Sequence, residues 1–177
     1  MKVLLTGGQG FLGGHIKGYL ESQGCEVLAP EFPRFDVTDP KFVDEFIEYD
    51  FNCIVHLAAN TSVDQSFEEP ELFYKDNMLG LLNILKLARL KGVRLVFPSS
   101  ALYGNIKDGP LNESLVPKPS NPYSTSKYLG EMLAESYSKF FGVEVVVLRL
   151  FNVYGVGQSS GFIVPRIVEG VKAGDIS

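Results

Sequence analysis

The sequence predicts an α/β fold, a doubly wound parallel sheet with helices on both faces. Three observations predict it. Short apolar segments alternate with amphipathic ones along the whole 177-residue chain, without repeats or low-complexity tracts. The first apolar segment runs through a glycine-rich turn into a helix. The segment Cys53–Leu57 (CIVHL) is apolar throughout, as a strand covered on both faces should be. The length leaves room for one sizeable core, so residues 1–177 are expected to form one domain.

Taken in order, Lys2–Thr6 reads as the first strand. The turn Thr6-Gly7-Gly8-Gln9-Gly10-Phe11-Leu12-Gly13 follows, with glycines spaced G-x-x-G-x-x-G. Such a turn between a strand and a helix is a phosphate cradle: one glycine permits the tight bend, one admits a pyrophosphate to the backbone, and one lets helix approach strand. The helix carries Phe11, Leu12, Ile16, Tyr19 and Leu20 at helical spacing and closes at Gly24. Glu26–Ala29 is a second strand. Glu31, about 20 residues after the turn, stands where an acidic residue takes adenosine ribose hydroxyls. Arg34 beside it suits the extra phosphate of NADP, so NAD and NADP both stay open.

Phe35-Asp36-Val37 is expected to be a very short third strand. Asp39 and Pro40 open a helix with Phe42, Phe46 and Ile47 on its buried stripe. After the CIVHL strand, the small residues Ala58-Ala59-Asn60-Thr61 suit backbone lying close to a ligand, and suit any tight turn equally. Pro70 opens a long helix to about Leu90, with Leu72, Leu79, Leu82, Leu85 and Leu87 among its apolar positions and Gly92 at its end. Asn77, polar within that helix, reads as a surface position. Val93–Pro98 is the next strand and ends at Ser99-Ser100. A proline-rich loop over 104–121 leads to Asn121 as cap and Pro122 as first residue of a helix to about Phe141. Val143–Phe151 is a sixth strand, Gly155–Gly161 a flexible turn, and Phe162–Ala173 a final amphipathic helix.

The net charge of -5 disfavours a nucleic-acid partner. No apolar run reaches the roughly 20 residues needed to cross a bilayer, and no basic-then-apolar leader precedes the first strand. A cytoplasmic protein without a membrane partner is therefore expected. Cys25 and Cys53 match no zinc spacing and read as buried free thiols.

The chemistry gathers at the carboxyl ends of strands: the glycine turn, 58–61, Ser99-Ser100, and Asn152. To these the helix after the fifth strand adds Tyr123-Ser124-Thr125-Ser126-Lys127. Tyr123 and Lys127, four apart, share a helix face. A phenol titrates near 10, too high for a base at neutral pH, and a neighbouring ammonium lowers that value. Tyrosine, lysine and a serine hydroxyl form a proton-transfer unit suited to alcohol–carbonyl interconversion, with a nicotinamide cofactor handling hydride.

These segments together resemble the extended short-chain dehydrogenase/reductase family, the NAD-dependent epimerase/dehydratase group. The matching stretches are TGGQGFLGGH, Asp36-Val37, HLAA at 56–59, DNMLG at 76–80, SSALYG at 99–104, YSTSK at 123–127 and LRLFNVYG at 148–155. The resemblance covers essentially the whole chain. It implies a Rossmann-type domain, NAD as cofactor, a nucleotide-sugar substrate and a homodimer formed through the two long helices. It implies Ser99, Tyr123 and Lys127 as catalytic residues, and Gly7, Gly10, Phe11, Leu12 and Gly13 at the cofactor diphosphate. Glu31 would hold ribose and Asp36 and Val37 would meet adenine. Leu57, Ala58, Ala59, Thr61 and Phe151 would line the cofactor, with Tyr123 and Lys127 touching it too. Asn77 would support the network, and Ser100 and Asn152 would meet substrate.

Two departures from the family pattern narrow the expectation. Ser100, Ala101 and Leu102 stand where family dehydratases carry an acidic residue, which argues against 4,6-dehydration. This leaves 4-epimerisation, most like UDP-glucose 4-epimerase, or reduction of a keto sugar. The short span from Glu31 to Asp36 resembles the keto-sugar reductases. Family members also continue into a smaller substrate-binding domain, toward which residues 155–177 lead. The chain is therefore expected to be a fragment or a truncated member, an inactive dinucleotide-binding module on its own, binding NAD without appreciable turnover.

Overall fold

A computed structural model describes residues 1–104 and 109–174. Five parallel strands form one sheet: β1 (Lys2–Thr6), β2 (Glu26–Leu28), β3 (Cys53–His56), β4 (Arg94–Ser100) and β5 (Val145–Leu150), in the order β2-β1-β3-β4-β5. The order reverses at β1, so a crevice opens between the carboxyl ends of β1 and β3, the place where such sheets take ligands. Thr6 is in register with His56, and Ser99 with Arg149.

Among the described residues there are six helices: α1 (Phe11–Ser22), α2 (Lys41–Phe46), α3 (Val63–Glu68), α4 (Pro70–Lys91), α5 (Pro122–Phe141) and α6 (Ile163–Ala173). Leu4, Ile54, Leu95 and Phe97 join Phe42, Phe46, Leu81, Ile84 and Leu85 in one buried cluster, so α2 and α4 pack on one sheet face. Helix α5 lies beside α4 over β4 and β5, while α1 covers β1 and β2 from the other side. Helix α5 starts where expected: Asn121 accepts from Ser124 N at 2.7 Å, and the Ser124 hydroxyl accepts in turn from Asn121 N. Helices α4 and α5 end at Gly92 and Gly142, both in the left-handed region at φ 64° and 69°.

Several expectations are corrected. Phe35–Val37 is not a strand, so the sheet has five strands instead of six. Asp36 Oδ1 accepts from Thr38 N at 2.8 Å, and the Val37 carbonyl accepts from the Asn83 side chain at 2.9 Å. Those local bonds occupy groups a ladder would need. Helix α3 was not expected, although Ser62 with Gln65 three residues later is a capping signature, and Ser62 Oγ accepts from Gln65 N at 3.3 Å. In α4, Leu79 and Leu82 are exposed, while Phe73, Leu81, Ile84 and Ala88 share the buried stripe with Leu85 and Leu87. Cys25 and Cys53 are free, as expected, but half-buried. Among the described residues no helix is long and apolar enough to cross a membrane.

Candidate active site

The glycine turn is shaped by contacts that leave no room for side chains. A Cβ on Gly13 would lie 2.0 Å from the Gly7 carbonyl oxygen, and one on Gly7 would lie 2.7 Å from Ala58 N. Gly7 is also at φ 71°. The first turn of α1 thus packs on β1, and the loop after β3 packs on the turn. Ala58 N donates to Thr6 Oγ1 at 3.3 Å, tying that loop to the end of β1. The Gly7, Gly10 and Gly13 backbone at a helix N-terminus fits a dinucleotide diphosphate. Phe11 and Leu12 begin that helix, with Phe11 edge-on to His15 at 5.3 Å.

Asp36, Val37, Ala58, Gly7 and Thr6 line one cavity at this crevice. Glu31 is exposed at its edge and accepts from Phe35 N through its backbone carbonyl at 3.0 Å. The Arg34 guanidinium lies 4.9 Å over the Phe35 ring. Leu57 and Ala59 flank Ala58, and Thr61 is exposed farther along the same loop.

The residues expected to move a proton lie near the carboxyl end of β4. Tyr123 and Lys127 both lie in α5. Lys127 is only 6% exposed. Its Nζ donates to the Pro98 carbonyl at 2.9 Å and sits 4.9 Å from the centre of the Phe97 ring. Burial lowers its pKa to about 8, so it stays mostly protonated at neutral pH. Burial pushes the Tyr123 phenol up, opposed by the approaching Ser100 hydroxyl. The expectation that the Lys127 ammonium pulls the phenol down is not met in this structure: the ammonium is engaged by Pro98 and Phe97 instead.

The serine pair is resolved by strand alternation. Ser99 is 4% exposed, and its Oγ has no hydrogen-bond partner among the described residues. It falls on the same side of β4 as Phe97, two residues back. Ser100, expected to meet substrate, is the hydroxyl that approaches Tyr123 and opposes the rise of its phenol.

Asn77, expected at the surface on its own reading, is buried and bridges three elements. Its Oδ1 accepts from Asn60 N at 2.8 Å, and its Nδ2 donates to Asn60 O at 3.1 Å and Ser126 Oγ at 2.9 Å. Ser126 donates to the Tyr123 carbonyl at 2.7 Å. The loop after β3 and the first turn of α5 are thereby joined through α4. Sequence reasoning quoted Ser126 and His56 within motifs but assigned them nothing. His56 Nδ1 lies 2.8 Å from Thr6 Oγ1, and its ring stacks on Phe97 with centroids 6.4 Å apart. Burial, and secondarily the Lys127 charge, hold its pKa down to about 3, so it is neutral at physiological pH.

Phe151 and Asn152 follow β5. Phe151 is exposed and stacks on Tyr103 with centroids 6.0 Å apart, and Asn152 is exposed in the loop beyond. Neither touches Tyr123 through a described stacking or hydrogen bond. Arg149, also missed from sequence, holds Glu131 of α5 by hydrogen bonds of 2.8 to 3.1 Å and reaches the Glu113 carbonyl at 3.3 Å.

A family model described as the NAD dependent epimerase/dehydratase family matches residues 3–176. The chain belongs to that family. It is 40% identical to GDP-6-deoxy-D-talose 4-dehydrogenase of Aggregatibacter actinomycetemcomitans, over 95% of this chain and 58% of that protein. UDP-glucose 4-epimerase of Thermus thermophilus, solved with NAD, superposes with a TM-score of 0.84 and 37% identity, over 90% of this chain and 58% of that one. RMD of Pseudomonas aeruginosa, solved with NADPH, superposes with a TM-score of 0.87 and 30% identity, over all of this chain and 64% of that one. This member of the family therefore spans less than two thirds of the length of these relatives. The Rossmann-type sheet and the NAD(P) cofactor class expected from the sequence agree with them.

Proposed function

We propose that this chain is the cofactor-binding and proton-transfer part of an NAD-dependent nucleotide-sugar 4-epimerase. The observation that carries the reading is the placement of Tyr123 and Lys127 early in α5 beside the end of β4, where Lys127 reaches the Pro98 carbonyl and the Ser100 hydroxyl approaches Tyr123. NAD bound along that turn would supply the reversible hydride acceptor. Tyr123 removes the proton from the sugar 4-hydroxyl and later returns it, and a hydroxyl of the Ser99-Ser100 pair orients the sugar oxygen. Lys127, held by the Pro98 carbonyl one helical turn after Tyr123, keeps a positive charge on that side of α5. Asn77 and Ser126 hold the first turn of α5 against the loop after β3. Leu57, Ala58, Ala59, Thr61 and Phe151 line the cofactor, Glu31 takes its ribose, and Asn152 faces the nucleotide sugar. The exposed leucines Leu79 and Leu82 of α4 and Leu129 of α5 support a homodimer through those helices.

A second reading, oxidoreduction at carbon 4 without return of hydride to the other face, has two supports. The segment between Glu31 and Asp36 is short and holds no strand, and the relative from Aggregatibacter is named a 4-dehydrogenase. Both readings share one step, exchange of a proton and a hydride at a sugar 4-hydroxyl. NADP in place of NAD goes with Arg34.

We further propose that residues 1–177 form one dinucleotide-binding domain and that its last part, about 155–177, leads into a substrate-binding region of the kind the relatives carry. Calorimetric titration with NAD should then show binding by the 177-residue chain, without appreciable turnover of UDP-glucose. A robust steady-state rate from this chain alone would contradict that expectation. With the sugar-binding region present, UDP-glucose and UDP-galactose should interconvert without net cofactor use. Net consumption of NADPH with a keto sugar, and no interconversion, would replace the epimerase reading by the reductase one.

A further inference from the structure

We propose that the Phe32 ring is the outer jaw of an adenine clamp, closing on the base of a dinucleotide whose diphosphate lies on the glycine turn. The inference rests on the dinucleotide reading above and adds a residue to it. Phe32 is 75% exposed, an unusual position for so large an apolar ring. It nevertheless lines the cavity that begins at Thr6 and Gly7 and continues past Pro30, Asp36 and Val37. That cavity measures about 350 Å³ with its open mouth, at the low end for a small-molecule site, so it suits one end of a dinucleotide.

The topology decides which end. Sheet order β2-β1-β3-β4 puts Tyr123 and Ser100 on the β4 side of the glycine turn, and the cavity on the β2 side. A dinucleotide centred on the turn with its nicotinamide toward Tyr123 must carry its adenine into the cavity. Pro30 is buried and forms a fixed inner wall. Asp36 keeps one carboxylate oxygen on Thr38 N, leaving the other to accept from an exocyclic amine.

Phe35, the other aromatic ring at the cavity, is already engaged. It packs edge-on against Phe46 with centroids 5.2 Å apart, and Arg34 covers it. Among the described residues no aromatic or cationic group stacks on Phe32. Its exposed face is the one a flat base can cover, and base–aromatic stacking is strong enough to be read in affinity.

The chain has no tryptophan, so Phe32→Trp introduces a single tryptophan at the jaw, excited selectively over the tyrosines. Its emission should be quenched by NAD or NADP and by ADP, and left unchanged by nicotinamide mononucleotide. Phe140→Trp, on an exposed residue at the far end of α5, should respond to none of them. Phe32→Ala should weaken dinucleotide binding roughly tenfold in calorimetry, with an unchanged circular dichroism spectrum. Dinucleotide binding by the wild-type chain with no change in Phe32→Trp emission would overturn the clamp and leave the dinucleotide reading standing. Unchanged affinity in Phe32→Ala would overturn it as well, even with quenching, because the ring would then be near the base without holding it. Failure of the wild-type chain to bind either NAD or NADP would overturn both.

Discussion

Lowering the pH from 8 to 5 should cost the folded state about 2 kcal/mol at a single residue, His56. The imidazole is fully buried, fixed by Thr6 and packed on Phe97, and its pKa is held down to about 3 against an ordinary value of 6.5. Above pH 6.5 it is neutral both folded and unfolded, and contributes no pH dependence. Between 6.5 and 3 the unfolded chain binds a proton that the folded chain refuses, so stability falls as the pH falls. Each pH unit in that window is worth about 1.4 kcal/mol. One and a half units, from 6.5 to 5, therefore give about 2 kcal/mol, with a ceiling near 5 kcal/mol at the bottom of the window. Lys127 adds only about 0.4 kcal/mol, confined to the top of the range and common to the wild type and His56→Asn. With a folded pKa of about 8 it is protonated in both states over most of the range, and its burial penalty is nearly constant there. Urea denaturation of the wild type and of His56→Asn at pH 8, 6 and 5 isolates the effect. Carboxylate titrations are common to both proteins, and the fixed cost of the substitution cancels between pH values. The stability advantage of the wild type should shrink by about 2 kcal/mol from pH 8 to pH 5. Stability curves that stay parallel within about 0.5 kcal/mol would refute a neutral buried His56.

Two further predictions concern the turn and the end of β5. Gly13→Ala places a methyl 2.0 Å from the Gly7 carbonyl oxygen, so it should destabilise by about 1–3 kcal/mol and abolish NAD binding. Gly18→Ala, later in the same helix with nothing within 4 Å, should instead stabilise by about 1 kcal/mol. Equal melting temperatures for the two variants would contradict the close packing of the turn. Arg149→Leu leaves the Glu131 carboxylate buried without its cation and should cost about 3–5 kcal/mol in urea denaturation, most of it recovered when Glu131→Leu is added. A double variant as unstable as the single one would mean that Arg149 matters through Tyr103 and Glu113 rather than through the ion pair.

The fold was legible where local chemistry and periodicity agree. Asn121-Pro122 at one end and Gly142 at the other bound α5 to the residue, because capping and a left-handed glycine are decided by the few residues involved. The strand expected at 35–37 failed for the opposite reason. Its three residues alternate like a strand, but a strand needs a free neighbour, and Asn83 from α4 takes the Val37 carbonyl instead. That competitor lies 46 positions away, and no local pattern reports it. The apolar stripe of α4 was misassigned in part for a related reason. Leucines occur on more than one side of that helix, and which side is buried depends on where Phe97 and Ile54 lie beneath it.

The site was legible by residue type and less so by contact. Spacing alone places Tyr123 and Lys127 on one helix face, but four residues of helix say nothing about what each side chain reaches. Lys127 reaches Pro98 and Phe97, and burial holds the Tyr123 phenol up. The same limit explains Ser99 and Ser100. The two hydroxyls are adjacent in sequence and chemically identical, and a strand sends neighbours to opposite faces, so spacing alone does not say which of them lies toward Tyr123. Two buried groups then share one patch: the Lys127 ammonium and the His56 ring both lie on Phe97, while the Tyr123 phenol, also held up by burial, stands edge-on to Phe73 one helical turn before Lys127. Burial on this scale opposes charge on every member of the set, which lowers stability and leaves proton occupancy open to whatever binds beside Tyr123.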